Sequence, residues 1–161
     1  MIKLTISQQD LQDIKKSIKT IGKDVKDYRQ VWPIISGIVS KAIRRNFMTQ
    51  RGLSGVWAKL NASTVKAKRR KGYKTRILRA SDTLFRAATQ ITRTQRANQI
   101  LIQKPTSYSF GVDLIYSYYH DRPRGVRGKR REHMSIPPNY IKDIEDSIIN
   151  YTIKKVEASW Q

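Results

Sequence analysis

Apolar and polar positions along the chain change period several times. Ile2, Leu4 and Ile6 alternate with Lys3 and Thr5, the period of a short strand with one buried face. Ser7 with Asp10 three residues on forms a capping-box-like helix start. Leu11, Ile14, Ile18, Ile21, Val25 and Tyr28 then recur at steps of three and four, predicting an amphipathic helix. Pro33 ends or kinks that helix and suits the first turn of a second one. The second helix carries its apolar face on Ile34, Ile35, Ile38, Val39, Ala42, Ile43 and Phe47. Arg51-Gly-Leu-Ser-Gly55 reads as a loop, with Trp57 and Leu60 anchoring the chain after it. Asn61 is placed to cap a short helix through Lys71, and Gly72 to end it.

Ser81 and Asp82 open a further short helix that turns Leu84, Phe85 and Ala88 inward. Ala97–Lys104 and Ser107–Val112 are two strands whose short connection at Pro105 makes them a hairpin. A tyrosine-rich segment, Ile115-Tyr-Ser-Tyr-Tyr-His120, follows. Residues 121–136 hold Gly, Pro and many cations and read as an exposed basic loop. Pro137-Pro138 starts the last helix, with Ile141, Ile144, Ile148, Ile149, Ile153 and Val156 as its face. The expected fold class is α+β, with early helices, a small antiparallel sheet in the second half and a C-terminal helix. No internal repeat interrupts it, and 161 residues suit one domain spanning 1–161.

Charge changes this picture most. Thirty-three Lys and Arg against twelve Asp and Glu give a formal net charge of +21. Between Tyr28 and Val112 the only acid is Asp82, so the surplus belongs to the middle of the chain. Self-repulsion on that scale destabilises a compact state unless a polyanion is near. Two clusters carry it. The first is Lys66, Lys68, Arg69, Arg70, Lys71, Lys74, Arg76 and Arg79; a helix puts Lys66, Arg69 and Arg70 on one side. The second is Arg122, Arg124, Arg127, Lys129, Arg130 and Arg131, in the loop that Gly125 and Gly128 loosen. Either cluster can meet DNA phosphates or an acidic protein, or remain a solvated face. No helix-turn-helix or zinc-finger pattern offers base readout, so DNA contact is expected through phosphates alone.

Candidate chemistry is sparse. Without cysteine there is neither a disulfide framework nor a thiolate metal site. The histidines, His120 and His133, are read as a structural residue and a loop residue; no metal or other cofactor is expected. No serine lies in a nucleophile elbow, and Arg51–Gly55 lacks the Lys-Ser or Lys-Thr of a phosphate loop, so no catalytic residue is assigned and no enzyme is expected. Tyr116, Tyr118 and Tyr119 serve as core or rim packing, with base stacking as the alternative. The N-terminus lacks the apolar core of a signal peptide, and no apolar run nears the roughly 18 residues that span a bilayer. Folding in a cytoplasm, without membrane contact, is expected.

The order of short motifs resembles a known family. Ile43-Arg-Arg-Asn-Phe47 is followed by Trp57-Ala-Lys-Leu60 and Ser63-Thr64. A basic stretch then runs into Ile77-Leu-Arg-Ala-Ser-Asp-Thr-Leu84, and a hairpin ending near Phe110-Gly111 leads to Tyr116-Ser-Tyr-Tyr-His120. A basic loop, a proline pair and a final helix close the chain. Across roughly residues 40 to 155 this resembles the phage virion morphogenesis family, the tail-completion and head–tail joining proteins of Mu-like and P2-like tailed phages. The chain departs from that pattern where Asp82 replaces the usual Gly. Asp121-Arg122 stands where Phe-Gly follows the His, and Ile136-Pro137-Pro138 replaces a Pro-x-Arg-Pro element. The resemblance implies a non-catalytic component of the virion neck or tail, assembled in the host cytoplasm. It implies a homo-oligomeric ring, a hexamer by family analogy, whose partners are other neck, connector and tail proteins and phage DNA. A free, non-specific DNA-binding accessory protein is the alternative.

Overall fold

The computed structural model of the chain describes residues 25–92, 94–121 and 131–159. The fold is α+β. Its elements in chain order are α1 (Trp32–Thr49), β1 (Arg51–Gly52), β2 (Gly55–Val56), α2 (Ala62–Arg70), α3 (Thr83–Thr89), β3 (Gln99–Gln103), β4 (Tyr108–Val112), α4 (Ile115–Asp121) and α5 (Pro138–Ser159). The expected strand at Ile2–Ile6 and most of the helix after it lie outside the described residues.

Helix α1 is the spine, packed against α3, α5 and β1. Pro33 sits in its first turn, where a missing N–H costs nothing. Its buried stripe is Ile35, Val39, Ala42, Ile43, Asn46 and Phe47. Ile34, assigned to this stripe from the sequence, is instead 56 % exposed. At 100° per residue the stripe spreads from Ile35 towards Ile43 and Phe47, and Ile34 falls on the other side of Ile35, outside it. Gln50 ends the helix in the left-handed conformation, its N–H donating to the Asn46 carbonyl. The loop expected at Arg51–Gly55 is a minimal hairpin, β1 pairing antiparallel with β2. Phe47, fully buried, meets the rings of Trp57, Phe85 and His133 edge-on at 5.4 to 5.8 Å.

The expected first helix does not extend to Tyr28. Residues 25–28 are irregular, and the Tyr28 amide donates to the Pro105 carbonyl at the tip of the second hairpin rather than one turn back. Tyr28 also packs on Trp32 and Tyr151, and Tyr151 Oη donates to the Asp27 carbonyl. Contacts with the hairpin and α5 replace the missing helical turn.

Strands β3 and β4 form the expected hairpin, Leu101 facing Phe110 and Gln99 facing Val112. Gln99 is buried because its Nε2 donates to the Ala87 and Gln90 carbonyls, satisfying the C-terminal end of α3. That fixes the register and leaves Ile100 and Ile102 on the outer face. The tyrosine-rich segment is helix α4, with Tyr116, Tyr118 and Tyr119 39 to 48 % exposed, at the rim rather than in the core. On α5 the apolar positions split into two stripes. Ile144, Ile148 and Tyr151 pack on the core, whereas Ile141, Ile149 and Ile153 are about half exposed.

Candidate nucleic-acid or partner interface

The basic run after Asn61 divides into two structures. In α2, Lys66, Arg69 and Arg70 are exposed, no residue is fully buried, and no acid lies in the first turn. Asn61 precedes the helix in extended conformation without a side-chain cap. Lys71 and Gly72 close it, Gly72 at φ +67°. Three cations in the last turn suit the helix dipole but repel one another. Lys68 differs from its neighbours. It is half-buried, and its Nζ donates to the Arg76 carbonyl at 2.7 Å. Arg76, Lys71 and Lys74 are exposed.

Beyond α2 the chain turns around Asp82, the lone acid of the middle segment. Asp82 is 7 % exposed and takes a left-handed backbone, φ +61°. Its carboxylate does not cap α3. It accepts from Arg79 Nε at 2.8 Å and Arg79 Nη2 at 3.1 Å, and pairs with Lys74 Nζ. The Arg79 hydrogen bonds, helped by those of Lys74, hold the Asp82 carboxyl down at about 2. Arg79 also lies 4.0 Å above the Phe85 ring, with its side chain only 13 % exposed. Arg79 and Lys74, both assigned to the contact surface from sequence, are therefore engaged within the fold. Lys66, Arg69, Arg70, Lys71 and Arg76 are the members of that cluster left in solvent.

Of the second cluster, Arg122, Arg124, Arg127, Lys129 and Arg130 lie outside the described residues. Arg131 is described and half-buried, so the expectation of an exposed loop over 121–136 is corrected at both ends. Asp121 belongs to α4, while Glu132 and His133 are 8 % and 0 % exposed. These residues are buried because polar partners receive them. Glu132 Oε2 accepts from the Ser54 amide at 2.7 Å, beneath Gly52, where any Cβ would run into Glu132. Asn46 Nδ2 donates to the Ser135 carbonyl at 2.7 Å and to the His133 carbonyl at 3.3 Å. His133 Nε2 shares a 2.8 Å hydrogen bond with Ser117 Oγ. His133 thus stands in a loop, as expected, but that loop segment is buried in the core rather than exposed. The Ser117–His133 pair superficially matches a hydrolase nucleophile and base, but both are buried and a substrate has no approach to them.

Arg131 donates from Nη2 to the Ala58 carbonyl at 3.3 Å, and its amide donates to the His120 carbonyl at 2.8 Å. Burial pushes both the Arg131 guanidinium and the Lys68 ammonium down from their ordinary values, and Arg131 presses Lys68 the same way. One residue of each basic cluster therefore comes to a common place. Sequence reasoning missed Asn46 and His133 as polar members of the core. The available signal was Asn46 itself, a polar residue on the apolar stripe of α1.

Among the described residues, no group of three or more His, Asp or Glu is placed to hold a metal ion, and no helix is long and apolar enough to cross a membrane. No family model, curated protein or solved structure matches this chain.

Proposed function

We propose that this chain is a structural component of the tailed-phage virion neck, a tail-completion or head–tail connector protein that forms a ring and meets DNA or acidic neighbours through its basic surface. The motif order carries the reading. Its separate segments also pack on one another: Phe47 on Trp57, Asn46 against the segment before α5, and Ser117 of the tyrosine-rich motif on His133. Motifs that hold one core in common support a shared structural pattern better than motifs scattered over a surface. The backbone at position 82 adds support. The family usually carries Gly there, and the left-handed φ of +61° is a conformation glycine adopts freely and Asp tolerates.

The chemistry is contact rather than catalysis. Exposed Lys66, Arg69 and Arg70 on one helix have no acid in their own element, and a phosphate backbone relieves their repulsion by counterion release. The same bare helix favours the second reading, a free DNA-binding accessory protein. Imaging purified chain by negative stain, with a search for it in mature particles, separates the two. The neck reading expects rings and a fixed copy number per virion. Absence from particles, with tight salt-sensitive duplex binding by the monomer, selects the accessory protein.

A further inference from the structure

A cavity of about 420 Å³ opens between α2, the turn from Leu78 to Leu84, α4 and Arg131. Its size falls within the range of small-ligand sites, roughly 300–1,000 Å³. Leu60, Leu78, Leu84 and Tyr116 give it apolar walls, and Lys68 and Arg131 bring positive charge to them. The only acid among its described lining residues is Asp82, and both Asp82 oxygens are taken by Arg79 and Lys74. Arg131 Nε is buried and has no hydrogen-bond partner, in a family of groups that is almost always satisfied. Lys68 spends one of its three donors, on the Arg76 carbonyl. Two partly desolvated cations thus adjoin each other with hydrogen-bonding capacity left over and, among the described residues, no anion between them. Leu78 holds a left-handed backbone, φ +58°, unusual for leucine, at the wall of this cavity.

We propose that this cavity binds a carboxylate carried on an apolar body, with Lys68 and Arg131 receiving the anion and Leu60, Leu78, Leu84 and Tyr116 the apolar part. A bare phosphate fits less well, because it stays hydrated and leaves the apolar walls unmatched. A free organic acid and an acidic residue beside a bulky apolar one in a protein segment offer the same group. The site is independent of the neck reading: an unliganded cavity leaves that reading standing, and absence from particles leaves the cavity.

The test uses the full chain and amide NMR shifts, with 4-phenylbutyrate, 4-phenylbutanol and inorganic phosphate as probes. Saturable shifts at Leu60, Thr64 and Tyr116 are expected with 4-phenylbutyrate, with the alcohol binding at least about tenfold more weakly, the factor that corresponds to losing one charge-assisted contact. Lys68→Met should weaken the acid about tenfold and leave the alcohol unchanged. Thr64→Trp, at an exposed position on the rim, should block both probes without unfolding the chain. A capped peptide with Leu-Glu at its centre, compared with its Leu-Gln counterpart, distinguishes the two sources: binding by the peptide points to a protein segment, and binding by phenylbutyrate alone to a free acid. No saturable shift on these walls with either ligand, equal affinity for acid and alcohol, or saturation by inorganic phosphate at equal strength overturns the proposal.

Discussion

Two stretches of one basic run, eight cations in fourteen residues, end in opposite states. On α2, Lys66, Arg69 and Arg70 stand in solvent. In the turn that follows, Lys74 and Arg79 close on Asp82, and Arg79 lies over Phe85. A single acid makes the difference, and it converts part of a charge run into fold. Charge density read along a sequence therefore overstates the surface available to a polyanion. The cations that remain available are Lys66, Arg69, Arg70, Lys71 and Arg76.

The sharpest way to break this contrast is Asp82→Ala. Arg79 would be left nearly buried and unpaired, so a loss of about 3 kcal/mol is expected in urea denaturation, the cost of stranding one member of a buried pair. A loss of a few tenths would show that the turn does not depend on its acid. Asp82→Gly should be milder than Asp82→Ala by about 1 kcal/mol, because glycine takes the left-handed backbone without a Cβ penalty. Equal stabilities would mean that the backbone relaxes.

Acid titration sharpens the same comparison. Asp82 is held at about 2 in the fold, against about 3.9 in an unfolded chain. A lowered folded value means that its stabilisation is complete above the unfolded value and disappears as pH falls through the folded one. Stability should therefore decline between about pH 4 and pH 2, and Asp82→Asn should flatten that limb. Asp27 is also held at about 2 by Arg29, but this pair is exposed. Salt should erase the Asp27 contribution and spare that of Asp82. The smallest effect belongs to α2: replacing Lys66, Arg69 and Arg70 together with Gln should move stability by no more than about 0.5 kcal/mol.

Much of the fold was readable from periodicity. The α1 start at Pro33, the α3 helix, the β3–β4 hairpin and the α5 start follow from local pattern and turn chemistry. Failures arose where long-range partners outvoted it. Tyr28 left its helical pattern for Pro105 and Tyr151, and Ile34, Ile141, Ile149 and Ile153 matched an apolar spacing but stay exposed among the described residues. At the candidate site, sequence identified the cations but not their engagement. The Arg79–Asp82 pair, three residues apart, was within local reach, but nothing local says that Lys68 will meet Arg131 across 63 positions of chain (131 − 68). The burial of the His133 loop was not legible because its partners, Asn46 and Ser117, lie in distant segments.

The central claim is that the open cations of α2, rather than those closed on Asp82, make the electrostatic contact. Duplex DNA binding by the full chain, measured as log K against log salt, tests it directly. Each phosphate contact contributes about 0.9 to the slope, so Lys66→Gln, Arg69→Gln and Arg70→Gln together should make it shallower by about 2.7. An unchanged slope in that variant, or a slope that falls only when Lys74 and Arg79 are replaced, would contradict the account.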